Sequence, residues 1–182
     1  MRKYNVSKWF LFLVSISIVG WLWETIYVSI LIKEYVHRGF LTLPICPIYG
    51  TGILLIYLTL GTPQKPKGIL KKMKNRYLNY ILYFFLSGII PSALELVVGY
   101  SYEKLSGKKL WTYEHHPYNL GGYISLQMVF IWAFVISLFM YFLFDKMKRW
   151  FLKLPNKPSF ILSIIVLVFI SVDFILKIIN FL

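Results

Sequence analysis

Two glutamates stand next to long uncharged stretches of the sequence, where a carboxylate is costly to retain. Glu24 directly follows the uncharged run 11–23, and Glu95 directly follows the run 77–94. An acidic residue at the centre of a membrane helix costs about 2.5–3.5 kcal/mol, so it persists where it faces a helix bundle, a partner or a water cavity. Such carboxylates could bind a cation or carry protons. A buried salt bridge is the competing interpretation for both.

The segment that follows the first apolar run supplies a counter-charge and interrupts the helix. Arg38 could neutralise one carboxylate or hold an anionic group. Two prolines and two glycines then surround Tyr49 and break the helix where it should enter the membrane: Pro44, Pro47, Gly50 and Gly52. A helix that begins inside a membrane directs its N–H groups and the positive end of its dipole at a cavity. A re-entrant structural cap explains the same residues equally well.

A second polar loop, 101–122, contains aromatic and amide side chains, including Trp111, Tyr113 and Asn119. We expect it to cover the helix ends as a lid. His37 with Glu114, His115 and His116 suggests zinc only weakly, because adjacent residues of an extended chain point to opposite faces and no H-x-x-x-H pair occurs. We therefore predict no metal site and no cofactor.

The composition indicates which elements must position these residues. The chain has 182 residues, of which 58% are hydrophobic and only 15% charged, against about 25% charged in ordinary soluble domains. Several uncharged runs approach or exceed the roughly 18 apolar residues that cross a bilayer. These numbers exclude a soluble enzyme and a disordered tail, and the single cysteine, Cys46, excludes an internal disulfide. The net charge of +13 does not indicate nucleic-acid binding, because the charges lie between the apolar runs.

The sequence predicts an all-α membrane protein: one integral domain over 1–182, with about five transmembrane helices. The runs are too long for barrel strands and lack sustained alternation. The second helix should be short or broken, and it is the one whose crossing is least certain from the sequence. The predicted spans are 9–32, 47–61, 77–100, 123–144 and 159–180.

Lysine and arginine are enriched in cytoplasmic loops, which sets the orientation. With five crossings, 14 of the 20 basic residues fall on the side of the N-terminus and six on the other. The N-terminus is therefore predicted to be cytoplasmic, unless the second helix fails to cross. Glu24 would then lie about 12 Å from the outer end of its helix, and Glu95 about 8 Å from the outer end of its own.

Small and polar residues at helical spacing accompany both glutamates. Ser17, Gly20 and Tyr27 share a face with Glu24, and Glu95 shares one with Gly88, Ser92, Gly99 and Tyr102. Such stripes allow close helix packing in membranes, so both carboxylates are expected to face one shared cavity. Asp173 is expected to pair with Lys177, four residues later.

Several of these residues form motifs that resemble one bacterial family, the putative ABC-transporter type IV proteins. The motifs are G-W-L-W-E at 20–24, R-G-F-L at 38–41, P-x-C-P-x-Y-G-x-G at 44–52, Glu95, and W-x-Y-x-x-x-P-x-N-L-x-G at 111–122. The resemblance implies a bacterial multi-pass protein of the cell membrane.

The leading hypothesis is a transporter or permease with an outward-facing polar site. The site residues would be Glu24, Arg38, Tyr49, Gly50, Glu95, Trp111, Tyr113 and Asn119. Its partners would be the lipid bilayer, a cytoplasmic ATPase or other membrane subunit, or a second copy of the chain. The alternatives are a non-transporting accessory or sensory subunit and, with less support, an intramembrane enzyme that modifies lipids by acid–base chemistry.

Overall fold

The computed structural model describes residues 2–179, and side chains from Tyr4 onward. The chain is all-helical, with 73% of its residues in helices. Two pairs of two-residue strands are the exceptions: β1 (Gly61–Thr62) with β2 (Lys65–Pro66), and β3 (Asn119–Leu120) with β4 (Ile124–Ser125), both antiparallel. The helices are α1 (Arg2–Ile32), α2 (Pro47–Thr59), α3 (Gly68–Lys71), α4 (Arg76–Ser106), α5 (Leu126–Phe142), α6 (Phe144–Lys153) and α7 (Asn156–Ile179).

Three of these helices, α1, α4 and α7, are long and apolar enough to cross a membrane by themselves. A fourth span is reached if α5 and α6 count as one helix broken by a bend of 51°. The helix α2 has 13 residues, about 20 Å of helix against a hydrocarbon core of about 30 Å. The membrane-helical class is therefore confirmed, with three to four candidate spans rather than an established five.

Two elements differ from the sequence expectation in ways that affect the site. The helix α4 continues six residues beyond the predicted end at Tyr100, and Gly107 ends it at a φ of +69°. Glu95 is therefore about 17 Å from the end of its helix, not about 8 Å. The predicted loop after the fourth helix is also mostly helical, since α6 covers Phe144–Lys153.

Residues 1–51 and 147–182 form one compact unit, in which α1 and α7 run in the same direction. Near the start of both helices, Tyr4 packs edge-on against Phe160, at 5.9 Å between ring centroids. Near the end of α7, Phe174 packs against Phe40, which follows α1, at 5.8 Å. Both helices therefore begin at one end of this unit and rise towards the other.

The beginning of α1 is held against the end of α6. Phe12 is buried and its ring lies 5.5 Å from that of Phe151. Lys8 is only 6% exposed, and its Nζ donates to the carbonyl of Leu152 at 3.1 Å. That carbonyl belongs to the last turn of α6, where the helix dipole favours a cation.

Residues 52–146 form the other compact unit, built around α4. Gly52 lies against Pro91, and Tyr83 donates to the carbonyl of Gly61 at 3.1 Å, so α2 runs antiparallel beside α4. On α4, Gly88 is buried against the carbonyl of Val129 in α5, too close to admit a Cβ. These small residues let the helix backbones approach closely.

Candidate functional site

Glu24 of α1 forms the centre of a polar cluster within the first unit. Its Oε1 accepts a hydrogen bond from Arg38 Nε at 2.8 Å and lies 2.7 Å from Arg38 Nη2 in the ion pair. Its Oε2 accepts one from the hydroxyl of Tyr49 at 2.8 Å. Both carboxylate oxygens are thus satisfied, and the Glu24 and Arg38 side chains are 23% and 21% exposed. The sequence left open which group Arg38 would hold, and the structure pairs it with Glu24.

Glycines allow α2 to begin against the middle of α1. Gly20 lies beneath the ring of Tyr49, and a Cβ there would overlap the ring. One residue later, a Cβ on Gly50 would lie 2.6 Å from the carbonyl oxygen of Leu13. Any larger residue at either position would push α2 away and separate the Tyr49 hydroxyl from Glu24. The predicted small-residue stripe on α1 therefore lets α2 begin in close contact with α1.

Ser17, on the same stripe, holds the chain where it enters α2. Its Oγ accepts the backbone N–H of Gly50 at 3.2 Å, and its carbonyl accepts that of Cys46 at 3.2 Å. Tyr27, also predicted on this stripe, is 56% exposed and lies outside the cluster. Only the first two turns of the stripe, from Ser17 to Glu24, therefore take part in these contacts.

The segment before α2 is folded back on itself so that Arg38 reaches Glu24. Gly39 has a φ of +88°, a backbone conformation that favours glycine. His37 Nε2 lies 3.1 Å from the carbonyl oxygen of Thr42, and its ring packs 5.4 Å from that of Trp21. At the other end of the segment, the N–H of Leu43 donates to Asp173 Oδ2 at 2.9 Å. Asp173 therefore anchors this segment; among the described residues it forms no ion pair with Lys177 within 4 Å.

Two polar atoms close to Glu24 are buried without a hydrogen-bond partner among the described residues. They are the Nε1 of Trp21 and the Oγ1 of Thr25, both within one helical turn of Glu24. A buried polar group left unsatisfied costs about 1–3 kcal/mol, so such groups need an explanation such as a ligand or water. Thr25 is only 4% exposed.

Glu95 lies in the second unit, on the predicted stripe of α4. It is 9% exposed, and Ser92, three residues earlier, is 3% exposed. One turn after Glu95, Gly99 packs against the indole ring of Trp111, whose Nε1 donates to the carbonyl of Tyr123 at 3.0 Å. Trp111 therefore covers the α4 face that carries Glu95.

The other two predicted loop residues organise the loop itself. The N–H of Tyr113 donates to the carbonyl of Gly122 at 2.8 Å. Asn119 donates from Nδ2 to the carbonyl of His116 at 2.9 Å and accepts the N–H of Gly122 at 3.0 Å. These bonds close a compact turn, so Tyr113 and Asn119 have a structural explanation.

An ion pair that no sequence pattern indicated stabilises the same loop. Lys109 Nζ donates to the carboxylate of Glu114 and to the carbonyl of Gly121, the latter at 2.9 Å. The carboxylate raises the pKa of Lys109, and the ammonium lowers the pKa of Glu114. Tyr123 donates to Glu103 close by, which raises the pKa of the phenol. Lys109 and Glu114 are five residues apart outside any helix, so no spacing rule identifies the pair.

The structure thus divides the eight predicted site residues into two groups. Glu24, Arg38, Tyr49 and Gly50 come together in the first unit, while Glu95 and the three loop residues belong to the second. That both groups face one cavity stays a prediction. Among the described residues, no three His, Cys, Asp or Glu side chains are grouped as metal ligands.

Apolar helices of membrane-spanning length, the first of which carries a carboxylate paired with Arg38 of the following segment, indicate a membrane protein. Residues 10–178 match the sequence model of the family described as "Putative ABC-transporter type IV". The chain belongs to this family, as its motifs indicated. Neither the curated proteins nor the solved structures contained a match.

Proposed function

We propose that the protein is the membrane subunit of a transport system and that Glu24, Arg38 and Tyr49 form its substrate or ion site. One observation carries the proposal: a carboxylate–guanidinium–phenol cluster lies about 12 Å from the end of a membrane helix, at the N-terminus of a short, broken helix. Transporters build sites from discontinuous helices in this way. The unsatisfied indole N–H of Trp21, three residues before Glu24 on the same helix, supports binding of a polar species beside Glu24.

The cluster can exchange partners without leaving a net charge inside the membrane. If Glu24 is protonated, Arg38 is free to hold an anionic group through two N–H donors. If Arg38 swings away, Glu24 and Tyr49 can hold a cation. Each exchange replaces one internal ion pair with another, which avoids the large cost of an isolated buried charge.

Chain direction supports five crossings with a cytoplasmic N-terminus. Because α1 and α7 are parallel, the chain must cross an odd number of times between them. If α4 and α5 each cross once, α2 must supply the third crossing. The buried segment before it, with Leu41 and Ile45 below 10% exposed, helps this 13-residue helix span the membrane. The N-terminus and the two most basic segments, 62–76 and 145–158, then share the cytoplasmic side of the cell membrane.

Energy for transport would come from another subunit. The sequence contains no G-x-x-x-x-G-K-[ST] phosphate-binding run, so a cytoplasmic ATPase would bind to the basic segment 62–76. A bundle of this size also favours a homo-oligomer or a second membrane subunit.

Mass spectrometry of protein extracted in mild detergent tests the proposal. The wild-type protein should retain a small molecule, and reconstituted liposomes should carry that molecule across the bilayer. Glu24→Gln and Arg38→Gln should abolish retention and flux when both are expressed per amount of folded protein. Glu34→Gln is the matched control, because Glu34 is exposed in the same segment. Retention unchanged in both site variants would contradict the site.

One observation favours a non-transporting accessory subunit instead: Arg38 and Tyr49 already satisfy both oxygens of Glu24. On this alternative the cluster only fixes α2 to α1. A partner protein should then co-purify in fixed ratio, Glu24→Gln should reduce abundance, and liposomes containing the chain alone should carry nothing.

A further inference from the structure

The amphipathic helix α6 presents a basic face with an exposed tryptophan. Lys146, Arg149, Trp150 and Lys153 are all exposed, and Trp150 is 62% exposed. At 100° per residue their side chains fall within about 100° of one another around the helix. We call these four residues the basic face of α6.

The opposite side of α6 is fixed to the protein, which gives the basic face a defined direction. Phe144 is fully buried and packs against Tyr57 at 4.8 Å, and Phe151 packs against Phe12. Lys8 caps the last turn of α6. Because the helix is held on one side, the basic face is left for a partner.

The one acidic residue of α6 compensates only part of this face. Asp145 lies four residues before Arg149 and 3.5 Å from Lys65, which belongs to the preceding basic segment. The three cations beside Trp150 therefore outnumber the single anion of their helix. Charge complementarity calls for an anionic partner.

We propose that the basic face of α6 binds the headgroups of anionic phospholipids. The helix directly follows the apolar helix α5, after the bend at Leu143, so it begins where the chain leaves the hydrocarbon region. Tryptophan is enriched at this depth, where its ring is buried among headgroups, and lysine and arginine beside a membrane attract anionic lipids. An anionic lipid surface pairs with the three cations and buries the indole ring of Trp150. Water would leave that ring exposed.

Quenching of Trp150 by brominated lipids tests this proposal on the full chain. The protein is reconstituted in liposomes of phosphatidylcholine and phosphatidylglycerol, with bromine on either one or the other lipid at equal content. The difference between wild-type and Trp150→Phe protein isolates the signal of this residue from the other tryptophans. Brominated phosphatidylglycerol should quench Trp150 more strongly, and the preference should decrease as salt is raised.

Variants that remove charge test whether the basic face is responsible for the preference for phosphatidylglycerol. The triple variant Lys146→Gln, Arg149→Gln and Lys153→Gln should lower the preference by about fivefold per charge. The control triple variant Lys71→Gln, Lys72→Gln and Lys74→Gln removes the same charge elsewhere and should leave it unchanged.

Three results would overturn the proposal. Equal quenching of wild-type Trp150 by the two brominated lipids would show that the residue has no preference for phosphatidylglycerol. No quenching by either would place Trp150 in water or against another protein. Equal loss in both triple variants would mean that total charge, rather than the basic face, attracts the lipid. The wild-type measurement at different salt concentrations decides the matter even if a triple variant fails to fold.

Discussion

Removing Arg38 should destabilise the protein by less than a buried ion pair and by more than a surface pair. Pairs at the surface contribute up to about 1 kcal/mol, and breaking a fully buried pair costs about 3–5 kcal/mol. The Glu24 and Arg38 side chains are 23% and 21% exposed, and one hydrogen bond from Nε accompanies the ion pair. Arg38→Gln should therefore lower the free energy of unfolding by about 2 kcal/mol.

A double-mutant cycle isolates the interaction of the pair. Glu24→Gln should cost about 2–3 kcal/mol, because Tyr49 also loses a charged acceptor. Since the single losses share one ion pair, the double variant should cost about 1–2 kcal/mol less than their sum. Tyr49→Phe keeps the ring on Gly20 and removes only the hydroxyl, so it should cost about 1.5–3 kcal/mol.

Equilibrium unfolding in mixed micelles titrated with sodium dodecyl sulfate, followed by circular dichroism, measures these values. Glu34→Gln combined with Arg38→Gln provides the control cycle, because Glu34 is exposed and, among the described residues, forms no ion pair with Arg38. The control should be additive. Additivity of the Glu24 and Arg38 variants within about 0.5 kcal/mol would refute the ion pair.

Three further predictions concern packing, a buried cation and the loop. Gly88→Ala should destabilise the α4–α5 contact by about 1–3 kcal/mol in the same titration, since its Cβ would overlap α5, and unchanged stability would contradict that contact. Lys8→Met should speed hydrogen exchange around Leu152, whereas Lys8→Arg should preserve protection. Identical exchange in the wild type and both variants would contradict a stabilising role of Lys8 at the end of α6. The pKa of Glu114 is lowered, so its stabilisation is complete above its ordinary value of 4.5 and lost as pH falls through the folded value. The raised pKa of Lys109 reverses the sign, because its stabilisation is complete below 10.5 and lost at higher pH. The protection factors of the loop amides, which correct exchange rates for the intrinsic effect of pH, should therefore be highest between these limits, and Glu114→Gln should abolish their acid dependence.

The sequence predicted the membrane-helical class because apolar runs have few alternatives to helices. It also indicated that a carboxylate within such a run needs a counter-charge and that Arg38 could supply one, but not that Glu24, rather than Glu95, would be its partner. The glycines of α1 and α2 also identified the close approach correctly, since helical spacing places Ser17 and Gly20 on the face of Glu24. These are effects of composition and periodicity.

Helix ends and loop contacts were harder to predict. The extension of α4 to Ser106 crosses polar residues that composition assigned to a loop, and Gly107 provides the actual stop. Asp173 bonds to Leu43, 130 positions away, although a cation lies four residues along its own helix. The end of a helix and the partner of a carboxylate depend on contacts between segments that are distant in sequence, and no local sequence pattern predicts those contacts.

The contact between Lys8 and Leu152 also constrains how the protein is made. The two residues are 144 positions apart, so at 5–20 residues per second the ribosome adds Leu152 about 7–29 s after Lys8. Throughout that interval the nascent α1 stands in the bilayer without the helices that later cover Phe12 and the Lys8 ammonium. The packing of α1 is therefore completed only after α6 has been synthesised, and a chain arrested before α6 lacks the contacts of Lys8 and Phe12 with that helix.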